Sequence, residues 1–118
     1  VATYVITLRG AGAPKGVNHL EVIAGRDGRL ALEPAMDALR SEGLAKVLVE
    51  GGGQVAASFL AAGLVNRIEW FRAPILLGSE GRPCLGALAL SRLADAPRFR
   101  RVGVQVVGED LWERYEIH

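Results

Sequence analysis

Val47-Leu48-Val49-Glu50-Gly51-Gly52-Gly53 is the stretch on which the fold turns. Its run of apolar residues predicts a strand over residues 45–50, buried on both faces of a sheet. The glycines then free the backbone, and a helix is predicted from about Gln54 to Ala62, with Val55, Phe59 and Ala62 sharing its buried face. A strand that passes through glycines into a helix is suited to binding phosphate. The first turn of a helix leaves backbone N–H groups without partners, and the helix dipole adds a partial positive charge there. Glycine lets an anion approach the main chain and permits positive φ. Each dipole contact contributes only about 0.3–1 kcal/mol at an exposed helix end, so several must converge. The plainer alternative is that the glycines only make a tight turn.

On the N-terminal side, residues 1–8 are β-branched and aromatic and predict a strand. Residues 9–18 hold Gly10, Gly12, Pro14 and Gly16 and predict a loop. A short strand follows over residues 19–24, then a turn at Gly25-Arg26-Asp27-Gly28. Pro34 stands where a first helical residue belongs, and the helix runs to about Glu42, with Met36 and Leu39 buried and Gly43 as its stop. The chain opens at Val1 directly into its first strand, which predicts that it begins part-way through a larger domain.

On the C-terminal side, Gly63 ends the second helix and Leu64 folds back on its last turn. A strand is predicted over residues 67–73 and an extended loop over residues 74–90. Val102, Val104 and Val106 alternate with Arg101, Gly103 and Gln105; Leu111, Glu113, Tyr115 and Ile117 alternate likewise. Around Gly108-Glu109-Asp110 these make an antiparallel hairpin. The expected architecture is α/β: one domain over residues 1–118, whose mixed sheet is flanked by helices, parallel in the middle and antiparallel at the C-terminal end.

The totals narrow the function. In 118 residues, 14 basic and 13 acidic side chains are mixed along the chain, so no basic stripe argues for nucleic acid. No apolar run approaches the roughly 18 residues of a membrane span. The one cysteine, Cys84, can form neither an internal disulfide nor a thiolate zinc site alone, and a reducing, cytoplasmic setting is expected. His19 and His118 have no partner pattern for metal or catalysis, and Ser58 lacks the G-x-S-x-G setting of a nucleophile.

Three motifs together resemble a known family: Val47 to Gly53, then Ser58-Phe59-Leu60-Ala61-Ala62-Gly63-Leu64-Val65, then Ala73-Pro74-Ile75-Leu76-Leu77-Gly78. They are similar to the reductase domain of the bacterial bifunctional riboflavin-biosynthesis deaminase/reductase, with the C-terminal hairpin in agreement. The resemblance implies a dihydrofolate-reductase-like fold, N-terminally truncated here. It implies reduction of a ribosylaminopyrimidine phosphate, 5-amino-6-(5-phosphoribosylamino)uracil, to its ribitylamino counterpart with NADPH as hydride donor. By the same resemblance Gly52, Gly53, Gln54, Val55, Ala56, Ala57 and Ser58 cover the NADPH phosphates and Glu50 contacts the substrate. The alternative for Glu50 is a carboxylate that caps the glycine-loop amides. Much of the family's substrate pocket lies in the N-terminal half of its domain, so the 118-residue chain is expected to hold a partial site. The H-x-E and P-C-x-x-C zinc signature of the deaminase is not found in it.

Two other readings stay open. Gly51, Gly53 and Ala56 also satisfy the Rossmann dinucleotide fingerprint, with Glu69 in the place of its ribose-binding acid. A non-catalytic α/β assembly module is the third. Trp70 and Phe71 face opposite ways on one strand, so one is expected in the core and the other at an interface. Trp112 points away from Leu111, Tyr115 and Ile117. That second apolar face suggests a homodimer, which the resemblance also implies. Arg98, Arg100 and Arg101 read as a solvated strand edge.

Overall fold

The computed structural model describes all 118 residues, which form two compact units, Val1–Leu48 and Val49–His118.

In the first unit, β1 (Tyr4–Leu8) pairs in parallel with β2 (Asn18–Val22), Tyr4 opposite Asn18 and Leu8 opposite Val22. Both strands are shorter than their apolar composition predicts. Helix α1 (Leu32–Ser41) packs on β2, and Val22 and Ala35 are the buried side chains between them. Met36 and Leu39 flank Ala35 and are half-buried. Pro34 is the third residue of α1, not the first. This is still within the turn whose N–H groups lack helical partners, so its missing donor costs nothing. Gly43, at φ 82°, sends its N–H to the Arg40 carbonyl, and the Leu44 N–H reaches that of Leu39. That pair of bonds is the Schellman stop.

In the second unit, α2 (Gly53–Ala61) precedes β3 (Arg67–Arg72), β4 (Phe99–Val107) and β5 (Asp110–Ile117), which form an antiparallel sheet in the order β3-β5-β4. The helix ends in a second Schellman pair: Gly63, at φ 67°, bonds to the Leu60 carbonyl and the Leu64 N–H to that of Phe59. Gly63→Val places a β-branched residue in the left-handed region. It is expected to cost about 1–2 kcal/mol, read as a lower urea midpoint with the slope unchanged.

Val107 and Asp110 pair across the hairpin, leaving Gly108 and Glu109 as a two-residue turn with φ 63° at Gly108. Positive φ at the first central residue is the requirement of a type II′ turn. Val102 is the extra residue of a bulge between Arg101 and Gly103. The expected parallel and antiparallel pairings are thus both present, the first in β1-β2 and the second in β3-β5-β4.

Three expectations are corrected. Residues 45–50 are not a strand: neither sheet takes them up, and Val47 and Leu48 are 44% and 75% exposed. Apolar composition reports a preference for burial, but a strand exists only with a neighbour to bond to, and none lies beside this segment. The buried face of α2 is not Val55, Phe59 and Ala62. Ala57 is its buried side chain, with Gly53 and Leu60 part-buried on the same side; of the expected three, Phe59 is part-buried while Val55 and Ala62 are exposed. At Gly53 the absence of a side chain suits the approach of the Pro83 and Cys84 main chain. Finally, neither Trp70 nor Phe71 is in the core, at 37% and 63% exposed. Their sheet faces remain open to solvent.

Candidate functional site

The glycine turn is open at its tip. Gly51 and Gly52 have φ of 70° and 76°, a conformation that side-chain-bearing residues rarely adopt. A Cβ on Gly51 would meet nothing within 4 Å, and one on Gly52 would meet only Val55, at 3.8 Å. Ala56 donates the first main-chain bond of α2, to the Gly52 carbonyl at 3.1 Å. The amides of Gly53, Gln54 and Val55 therefore precede the first helical bond and have no acceptor within the helix. Gly52 holds the N-cap position and has no side chain to cap them.

Ala56 and Ala57 turn inward, Ala57 fully, and Ser58 lies one turn along, where its hydroxyl donates to the Gln54 carbonyl at 2.9 Å. That bond is the ordinary back-bonding of a helical serine. Of the seven residues expected to cover phosphate, the structure brings Gly52, Gly53, Gln54 and Val55 to the open end of α2. Ala56, Ala57 and Ser58 lie behind it. Glu50 is exposed on the unpaired segment before the turn, not at the tip of a central strand.

The floor of the turn is closed by main chain. The Gly86 N–H donates to the Gly53 carbonyl at 2.8 Å. A Cβ on Gly53 would stand 3.0 Å from the Pro83 carbonyl oxygen and 3.2 Å from the carbonyl atoms of Cys84. In sequence these residues belong to the loop expected over residues 74–90, and the mark of this approach is Pro83 standing three residues before Gly86.

The Rossmann alternative fails on geometry. Glu69 lies in β3, and both its oxygens are engaged: Oε1 accepts from Arg114 Nε at 2.8 Å and Oε2 from the Trp112 indole N–H at 2.7 Å. Arg114 also lies 4.9 Å over the Trp112 ring, and Phe71 stacks on it at 6.2 Å. The sheet that carries Glu69 is antiparallel, not doubly wound.

On the other face of that sheet is a polar cluster. Glu113 is 4% exposed. It accepts from the Tyr115 hydroxyl at 2.9 Å, from Arg72 Nε at 3.0 Å and from Arg101 at 3.4 Å. The Tyr115 hydrogen bond and the two guanidinium groups hold its carboxyl below the ordinary carboxylate range, against the opposing effect of burial. Glu113, Tyr115 and Arg72 line a cleft of about 500 Å³ with Ile68, Trp70 and Phe99, and it takes no residue from the glycine turn. A carboxylate on an otherwise apolar strand face was the available sign of this cluster.

Comparison with known proteins bears on the chain as a whole. The family description "RibD C-terminal domain" matches residues 1–112. The riboflavin biosynthesis protein RibD of Escherichia coli K12 is 36% identical over 98 residues, 83% of this chain and 26% of that protein. The 2,5-diamino-6-ribosylamino-4(3H)-pyrimidinone 5′-phosphate reductase of Methanothermobacter thermautotrophicus is 27% identical over 121 residues, 98% of this chain and 56% of that protein. The chain thus spans only part of the length of either relative. A pyrimidine reductase-like protein of Corynebacterium diphtheriae superposes with a TM-score of 0.73 at 22% identity, covering 98% of this chain and 50% of that one. That superposition carries the fold, the dihydrofolate-reductase-like α/β class with its C-terminal hairpin. With nearly its whole length inside the family match, the chain belongs to the RibD C-terminal domain family.

Proposed function

We propose that this chain carries the C-terminal part of an NADPH-dependent reductase acting in riboflavin biosynthesis on 5-amino-6-(5-phosphoribosylamino)uracil. The observation that carries the proposal is the open start of α2, where the Gly53, Gln54 and Val55 amides have no helical acceptor and Gly51 faces open space. Such a corner fits a dinucleotide's phosphates, since donors and dipole converge where no Cβ intervenes. Family membership and the names of its relatives supply the reaction class. The match over residues 1–112 also supports treating the chain as part of a single domain.

When bound, NADPH supplies a hydride to C1′ of the opened ribose. The chain's own part is to bind and orient. Gly52, Gly53, Gln54 and Val55 hold phosphate at the helix start, while Ala56, Ala57 and Ser58 support that turn from behind. Glu50 orients sugar hydroxyls or relays a proton at the substrate. No helix is long and apolar enough to cross a membrane, and with one exposed thiol, Cys84, the proposed setting is the cytoplasm. Exposed apolar side chains such as Phe71 and Val106 support a homodimer.

The test is titration of the chain with NADPH, followed by cofactor fluorescence. Binding that weakens as salt rises is expected, and Glu50→Gln is expected to leave that affinity unchanged while lowering turnover in the longer protein. Absence of binding by both NADPH and NADH removes the basis of the proposal.

A further inference from the structure

We propose that the segment 83–86 is a positioning element of the phosphate seat, an inference that rests on the reading of that seat given above. Two main chains meet at the first turn of α2 with a glycine on each side. On one side, a Cβ on Gly53 would be crowded, 3.0 Å from the Pro83 carbonyl oxygen and 3.2 Å from the Cys84 carbonyl, so the facing segment would have to give by a few tenths of an ångström. These are backbone atoms, which cannot swing aside as a side chain would. On the other side, a Cβ on Gly86 would stand 3.1–3.2 Å from the side-chain amide of Gln54. Between them runs the bond from the Gly86 N–H to the Gly53 carbonyl at 2.8 Å.

That bond acts on the seat through one rigid unit. The Gly53 carbonyl and the Gln54 N–H belong to the same planar trans peptide and point in opposite directions. Fixing the carbonyl against Gly86 therefore fixes the direction of the Gln54 N–H, one of the amides open to an anion. Donation to the carbonyl also polarises the peptide and strengthens its N–H as a donor. The strap holds the helix start in the orientation that receives phosphate before any ligand arrives, which lowers the cost of ordering it on binding.

The experiment is a double-mutant cycle on the 118-residue chain, reading the dissociation constant for NADPH and the melting temperature together. Gly53→Ala is expected to weaken binding about tenfold by pushing the strap away, without lowering the melting temperature, because alanine favours the helix. Pro83→Gly frees the backbone that the new methyl strikes, so the double variant is expected to recover most of the lost affinity.

Gly86→Pro deletes the donor itself, and is expected to weaken binding similarly if Gly53→Ala does not fold. Three results overturn the strap alone: wild-type affinity in Gly53→Ala or in Gly86→Pro, loss without recovery in the double variant, or affinity and melting temperature falling in step. If the wild-type chain binds no NADPH, the phosphate seat itself is refuted and the strap has nothing to position.

Discussion

Gly52→Asp is expected to lower the affinity for NADPH about a hundredfold or more while leaving a cooperatively folded chain. Gly52 is the N-cap of α2 and stands at φ 76°, with only Val55 in ordinary contact with a Cβ placed there. A carboxylate there takes the amides of the first turn for itself, as an N-cap acid does, and repels phosphate. A hydrogen bond to a charged group contributes about 1.5–3 kcal/mol. Forfeiting two amounts to two decades or more, at about 1.4 kcal/mol per decade. Gly52→Ala separates charge from strain. It brings the backbone penalty of positive φ, about 1–2 kcal/mol, but no carboxylate, and so is expected to lose stability while keeping more of the affinity. Equal losses of affinity in the two variants would show that the seat works through backbone shape and not through its amides.

Glu113→Gln is expected to lower the melting temperature by roughly 5 °C at neutral pH, a large change for a domain of this size, and to have almost no effect in acid. The carboxylate is buried under Tyr115 and between Arg72 and Arg101. Its folded-state pKa is lowered, first by the Tyr115 hydrogen bond and then by the guanidinium groups. A lowered carboxylate pKa means that the unfolded chain takes up the proton first as pH falls. The stabilisation is therefore complete above the unfolded value of about 4.3 and is lost as pH drops through the lower folded value. Thermal melts of wild type and variant from pH 8 to pH 2.5 are expected to converge at the acid end. A gap that stays constant across that range would mean that the charge of Glu113 contributes nothing and only its shape matters.

Local signals were legible in the sequence wherever the physics is local. Both helix stops were readable because Gly43 and Gly63 sit at positions that only a left-handed residue fills, each followed by leucine. The hairpin was readable because the alternation on either side of Gly108 and Glu109 marks two strands, although the bulge at Val102 left no such mark. The open start of α2 at Gly52 to Val55 was readable for the same reason, since it belongs to one turn.

What required partners was not legible. Val47 to Val49 carry the composition of a central strand, yet nothing in their own residues says which strand lies beside them, and none does. The inner face of α2 was misassigned because Val55 and Phe59 outweigh Gly53 and Ala57 in hydrophobicity. The approach of Pro83 and Cys84 selects for absence of bulk instead. Glu113 shows the same limit: its neighbours Arg72 and Arg101 come from two other strands, and only the register brings the three together.

The strand order β3-β5-β4 puts the last strand of the sequence in the middle of its sheet. During synthesis, β3 and β4 emerge first and have nothing to bond to, because each pairs only with β5. A nascent chain halted anywhere before Asp110 holds the two outer strands of this sheet without the strand that joins them. Closing this three-stranded sheet therefore waits until β5 has been made, and until then the valines of β4 have no strand to pair with inside it.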